Sequence, residues 1–268
     1  MTRRLLDLLD EHGATGTFFL VGEIAREAPD LVREIGARGH EIASHSYRHV
    51  PLIDEGPRQF LAEIRRSKAH LEDLASRQVV GFRAPVFSLT RETIWATEVL
   101  REAGFRYSSS VLPAGSFAYG LPTAPRAPFL WASGLLEIPC PVGRIGPLVL
   151  PFLGGMYLRY LPPWRLRQLS AQVAESALWS YCHPYDIDIE EPFTLARGST
   201  FIGSLFLWCN RSVALRRLSA LLALNSWRTF ETRLDELYAA ASSQCLEDEL
   251  DSRGEAIPLM ARVQSSRA

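Results

Sequence analysis

Residues 39–49 read Gly39-His40-Glu41-Ile42-Ala43-Ser44-His45-Ser46-Tyr47-Arg48-His49. Gly39 stands where a helix would be capped, and the apolar centre that follows predicts a short buried strand over 41–44. His45 and His49 lie at the end of that strand, four residues apart. Imidazole is the commonest protein ligand for zinc and related divalent ions, so the pair could share one ion. The H-x-x-x-H spacing is loose, and a pair of surface or capping histidines is the competing reading.

Outward from this stretch, helix and strand patterns alternate. Residues 2–12 carry leucines at helical spacing and stop at Gly13, and residues 15–21 (TGTFFLV) are β-branched and aromatic, hence a strand. Residues 23–38 predict one amphipathic helix with Ile24, Leu31 and Ile35 on a face, and residues 56–76 a second. A strand over 78–82 ends at Arg83-Ala84-Pro85, followed by a helix over 90–103 and a strand over 105–111. Repeated strand–helix units imply a parallel sheet with helices outside it, open or closed into a barrel. Such sheets gather functional groups at the carboxyl ends of their strands.

Residues 112–163 are dense in Pro and Gly, with one strand expected over 135–138, and read as a binding loop or lid. A helix over 165–178 and a strand over 179–182 lead into His183-Pro184-Tyr185-Asp186. Helices over 201–224 and 229–242 follow, then a loose polar tail from Leu246.

Arg83, at a strand end before Ala-Pro, could orient a carboxylate or a substrate oxygen, although a surface salt bridge is the commoner use of such a residue. His183 could give a proton to a leaving group or could be a packed core histidine. Asp186 and Asp188 could orient its imidazole, but solvated loop acids are the favoured reading. The aromatics Tyr119, Trp131, Tyr157, Tyr160 and Trp164 could stack on sugar rings, with core packing as the default. His12, His40 and His70 receive no role.

The composition excludes several classes. A net charge of −1 leaves no global field toward nucleic acid or an anionic membrane. Cys140, Cys182, Cys209 and Cys245 form no CxxC pair and read as free thiols. The N-terminal leucines are interrupted by Asp7, Asp10 and Glu11, so no signal peptide is expected. The longest uncharged run, residues 145–158, falls short of the roughly 20 apolar residues of a transmembrane segment. A cytoplasmic protein with no nucleic-acid partner is the expectation, with oligomeric state open.

Four stretches in order carry a resemblance: residues 14–22 (ATGTFFLVG), 39–49 (GHEIASHSYRH), 81–88 (GFRAPVFS) and 181–184 (YCHP). Together they resemble the polysaccharide deacetylase (NodB-homology) family. Residues 105–113 (FRYSSSVLP), 134–139 (GLLEIP), 154–162 (GGMYLRYLP) and 183–192 (HPYDIDIEEP) are similar to its branch in bacterial exopolysaccharide loci, which carries a C-terminal extension. The resemblance spans residues 4–237. It implies an α/β fold, a distorted (β/α) barrel, with residues 1–192 as the catalytic domain and 193–268 as a helical extension.

It also implies a hydrolase that removes N-acetyl groups from amino sugars of an exopolysaccharide or its precursor. The N-acetylated glycan is then the partner, and a divalent metal, zinc foremost, is the cofactor. His45 and His49 match the family's metal histidines, Arg83 the arginine that orients the catalytic aspartate, and His183 the general acid. In the family an Asp-rich strand ahead of the first helix supplies the base and a third metal ligand. Here Asp7 and Asp10 sit inside the helical pattern, so a barrel lacking its first strand is expected. The strand is then encoded upstream of Met1, which the otherwise intact set favours, or the chain is a degenerate, non-catalytic glycan-binding protein. A deacylase or amidase acting on a small cyclic or lipid-linked substrate is a third reading.

Overall fold

The chain opens on α1 (Thr2–Glu11), which buries Leu5, Leu6 and Leu8, and passes through Gly13 into β1 (Thr17–Leu20). These coordinates come from a computed structural model that describes residues 1–115, 119–173, 178–195, 200–224 and 226–241. The tail from Leu246, Cys245 and residues 174–177 of the helix expected over 165–178 lie outside the described residues.

The single helix expected over 23–38 is two helices, α2 (Gly22–Glu27) and α3 (Pro29–Ala37), broken at Ala28 (φ −130°, ψ 58°). Ala28 precedes Pro29, whose ring excludes its neighbour from helical geometry. The break also divides the apolar face: Ile35 is fully buried, whereas Ile24 is 59% exposed.

The next elements are β2 (Glu41–Ser44), buried throughout, α4 (Pro57–Ala75), β3 (Gly81–Phe82), α5 (Trp95–Glu102) and β4 (Tyr107–Ser108). The irregular region holds more than the one strand expected: β5 (Phe129–Leu130), β6 (Leu136–Glu137), a hairpin of β7 (Gly143–Ile145) and β8 (Leu148–Leu150), and α6 (Gly155–Tyr160). Then come α7 (Pro163–Ser170), α8 (Phe201–Trp208), α9 (Arg211–Leu222) and α10 (Leu234–Ala241). The helix expected over 201–224 is interrupted at Asn210, which takes a left-handed conformation (φ 60°).

The main sheet runs β1-β2-β3-β4-β6-β5, parallel from β1 through β6, with β5 antiparallel at one edge. The parallel register starts from Thr17 opposite Glu41 and places Leu20 opposite Ser44, so β1 and β2 end together just before His45. β1 forms the other edge, and no further strand pairs with it among the described residues. An α/β fold with a parallel sheet and outer helices is thus present, open where a first strand was expected to be missing. The strand expected over 179–182 is reduced to one bridge, Gly154 to Tyr181. Trp179 turns its indole N–H to Pro139 O instead, at 3.0 Å.

One core lies between β1–β4 and helices α1–α5, built on Leu6, Val32, Ile35, Ile42, Phe60, Ile64, Phe82 and Phe105. A second unites Tyr107, Leu136, Ile138 and Trp179 with Phe230, Leu234 and Leu237. The C-terminal segment is therefore packed on the sheet. Buried Glu41 locks it there, accepting hydrogen bonds from Thr17 Oγ1 (2.6 Å), Tyr107 Oη (2.7 Å) and Glu231 N (2.9 Å). Among the described residues, no helix is long and apolar enough to cross a membrane.

Candidate active site

A cleft of about 1050 Å³ runs along the free edge of β1. Its walls are apolar, from Leu5 and Leu9 of α1, Ile24, Leu31, Val32 and Ile35 of α2 and α3, and Leu218, Leu221 and Leu222 of α9. Polar and charged residues share the lining, among them Arg228, Arg233 and Glu236. His45, His49, Arg83 and His183, from three segments spread over 139 positions of chain, all line this cleft. The four residues singled out from sequence are thus brought together.

His45 leaves β2 with its backbone N–H bonded to Leu20 O at 2.8 Å. Its Nδ1 lies 2.8 Å from the carbonyl oxygen of Arg83. A carbonyl only accepts, so Nδ1 carries the proton and Nε2 keeps a free lone pair. Burial pulls the His45 pKa down to about 3, so the ring stays neutral and able to bind a cation. The chain then turns through Ser46 (φ 65°) and His49 (φ 59°), with Ser46 Oγ accepting from His49 N at 2.9 Å. This turn brings the His49 ring to 4.9 Å from that of His45, centroid to centroid. Burial, and then the neighbouring His183, also lower the pKa of His49.

Two neutral histidines at this separation fit the donor set of a borderline divalent ion. A catalytic site of that kind takes three protein ligands. Among the described residues, no group of three or more His, Cys, Asp or Glu side chains lies together as such a site. Among the described residues the pair His45 and His49 therefore stands without a third side chain of that kind.

Arg83 is half-buried between aromatic rings, its guanidinium carbon 4.0 Å from the centroid of Phe19 and 4.4 Å from that of Trp179. Nε donates to Ser109 O (3.0 Å) and Nη2 to Ser109 Oγ (2.9 Å). Among the described residues no carboxylate pairs with it. Burial lowers its pKa to about 10, yet the group stays cationic and attracts an anion to the cleft. The turn after it holds Val86 and Phe87 at positive φ (51° and 55°). A β-branched residue in that region is strained, and four of the six described non-glycine residues with positive φ (Ser46, His49, Val86, Phe87) border this site.

His183 is half-exposed to the cleft and stacks on Tyr185, with centroids 4.7 Å apart and planes 8° apart. Asp186 is not a solvated loop acid. It is 2% exposed, accepts from His183 N at 2.8 Å, and lies 3.2 Å from the guanidinium of fully buried Arg159. Neither Arg159 nor Glu41 was given a role from sequence, and the structure buries both. Asp188 does cap its own loop, accepting from Glu190 N and Glu191 N. The five aromatics weighed for sugar stacking are not part of the cleft lining. Trp131 is buried with its indole on Glu137, and Trp164 is exposed beneath Arg165.

With this geometry in view, comparison with known proteins shows what the chain is similar to. A family described as polysaccharide deacetylase matches residues 1–108, and a domain of unknown function (DUF3473) matches residues 109–235. A peptidoglycan-N-acetylglucosamine deacetylase of Bacillus cereus is 33% identical over 98 residues, covering 36% of this chain and 36% of that protein. A chitooligosaccharide deacetylase of Azorhizobium caulinodans is 32% identical over 101 residues, covering 37% of this chain and 45% of its own. The chain thus spans less than half the length of these curated relatives. In fold it is similar to a Mycobacterium smegmatis protein described as a polysaccharide deacetylase, with a TM-score of 0.59 at 23% identity, over 88% of this chain and 76% of that one. Residues 1–108 thus resemble the polysaccharide deacetylase family, and residues 109–235 the DUF3473 region that follows them.

Proposed function

We propose that this protein hydrolyses N-acetyl groups on amino sugars of an exopolysaccharide or its precursor, with a divalent ion, zinc foremost, held by His45 and His49. The observation that carries this reading is the meeting of His45, His49, Arg83 and His183 in one cleft, with Nε2 of His45 left free by the Arg83 carbonyl. Curated relatives named as deacetylases of peptidoglycan and chitooligosaccharide support the reaction class.

Hydrolysis adds water across the acetamide C–N bond and releases acetate and an amine. The leaving nitrogen needs a proton, and His183 is placed to donate one. Arg83 holds a fixed positive charge beside the site, where it orients a carboxylate base or the product acetate. A divalent ion held by His45 and His49 would supply Lewis acidity toward a carbonyl oxygen and toward water.

The test is acetate release from N-acetylglucosamine oligomers by the native protein, its N-terminus defined by mass spectrometry, with zinc or cobalt added. Release that falls on His183→Ala supports the reading. Absence of release from every N-acetylated glycan tried would sink it. The incomplete ligand set motivates a second reading, a non-catalytic glycan-binding protein, for which binding would survive His45→Ala without turnover.

A further inference from the structure

The surroundings of His183 hold a second arrangement. The 3-10 turn Pro184–Asp186 folds Asp186 back beneath the histidine. Asp186 Oδ2 accepts from His183 N at 2.8 Å and lies 3.3 Å from His183 Nδ1. Its other oxygen, Oδ1, is 3.2 Å from Arg159 Nη2. Arg159 is 1% exposed, and its Nη1 donates to Leu207 O (2.9 Å) and Cys209 O (3.2 Å), at the junction of α8 and α9. The space for the carboxylate is made by glycine: a Cβ on Gly155 would come within 2.1 Å of Asp186 Oδ2. Gly154 clears the ring of Tyr181 in the same way, a Cβ there falling 2.5 Å from it.

A carboxylate can only accept. A proton must therefore sit on Nδ1 of His183 for the two to bond, which leaves Nε2 as the nitrogen presented to the cleft. We propose that Asp186, clamped between Arg159 and the Gly154-Gly155 step, is a positioning residue that sets the tautomer and ring orientation of His183, and that Arg159 ties this setting to the α8–α9 junction. This inference rests on the reading of His183 as proton donor for its purpose, but not for its test.

Both oxygens of Asp186 face donors, so an asparagine there must turn its NH2 against either His183 or Arg159. Gly155→Ala displaces the same carboxylate without changing any charge. The experiment is nitrogen-15 NMR of histidine-labelled protein, at a pH well above the ordinary histidine range. The wild type is expected to show neutral His183 protonated on Nδ1, and both variants to lose that preference. With a substrate that turns over, kcat should fall about 10–100-fold with KM little changed, part of the 10²–10⁴-fold that a positioned general acid supplies. A wild-type His183 protonated on Nε2 would overturn the proposal without any variant. So would an unchanged tautomer in folded Asp186→Asn or Gly155→Ala protein. An Nδ1-protonated His183 that responds to both variants, in a protein that releases no acetate, upholds the positioning and counts against the catalytic reading alone.

Discussion

His45 Nδ1 sits 2.8 Å from the carbonyl oxygen of Arg83, so a backbone atom of the neighbouring strand decides which nitrogen of His45 is free. Partners of this outer kind contribute roughly 10–100-fold in metal affinity. Removal of the ligand itself should cost more. His45→Ala is expected to weaken zinc binding by more than about 100-fold, measured by competition with a chromophoric chelator. Equal affinity in variant and wild type would remove His45 from the metal site.

Arg83 is held by the faces of Phe19 and Trp179 and by two bonds to Ser109. Lysine offers neither the plane that stacks nor the fork that reaches both oxygens. The loss combines a desolvated cation–π contact worth about 2 kcal/mol with charged hydrogen bonds worth about 1.5–3 kcal/mol each, partly regained by the ammonium. Urea unfolding of Arg83→Lys should show a stability lower by about 2–4 kcal/mol. A change under about 0.5 kcal/mol, the range of ordinary surface substitutions, would mean the guanidinium is not held as described.

Gly81 in β3 lies against Tyr107, and a Cβ there would meet the phenol oxygen at 2.2 Å. Tyr107 is buried and cannot retreat without releasing Glu41. Gly81→Ala should therefore cost about 1–3 kcal/mol by overpacking, with further loss if the Tyr107–Glu41 bond breaks. Thermal unfolding checks it, and an unchanged midpoint would show that the ring moves freely.

Glu41 provides the pH test. Burial raises its pKa above the ordinary 4.5, outweighing the hydrogen bonds from Thr17, Glu231 N and Tyr107 that lower it. A raised folded pKa means the folded state holds the proton more tightly than the unfolded state. The contribution to stability is full below the unfolded value and is lost as pH rises through the folded one. Relative to Glu41→Gln, the wild type should lose up to about 1.4 kcal/mol per pH unit as pH climbs from the ordinary glutamate range. Parallel stability curves for the two proteins would refute the shift.

The strand–helix alternation was legible because each early element carries its own signal. Leucine periodicity marks α1, TGTFFLV marks β1, and Gly39 marks the turn into β2. The breaks within helices were missed where a single residue outweighs periodicity, as Pro29 does at Ala28 and Asn210 does between α8 and α9. The strand before His183 was over-read. WSYC has strand composition, but Trp179 and Tyr181 pack among aromatic rings, and only Tyr181 bridges to Gly154.

By itself the sequence determined the order of the parts: a parallel α/β sheet, histidines at the end of its second strand, an arginine after its third, and a His-Pro motif much later. Local patterns suffice for this, because apolar spacing and turn residues act over a few positions. Tertiary structure alone decided the environment of each charge. It placed Arg83 between two aromatic rings, turned Nε2 of His45 free, and buried Asp186 on Arg159 beneath His183. Burial and tautomer depend on which distant atoms arrive nearby, and the 27 positions between Arg159 and Asp186, or the 38 between His45 and Arg83, carry no local trace of that meeting.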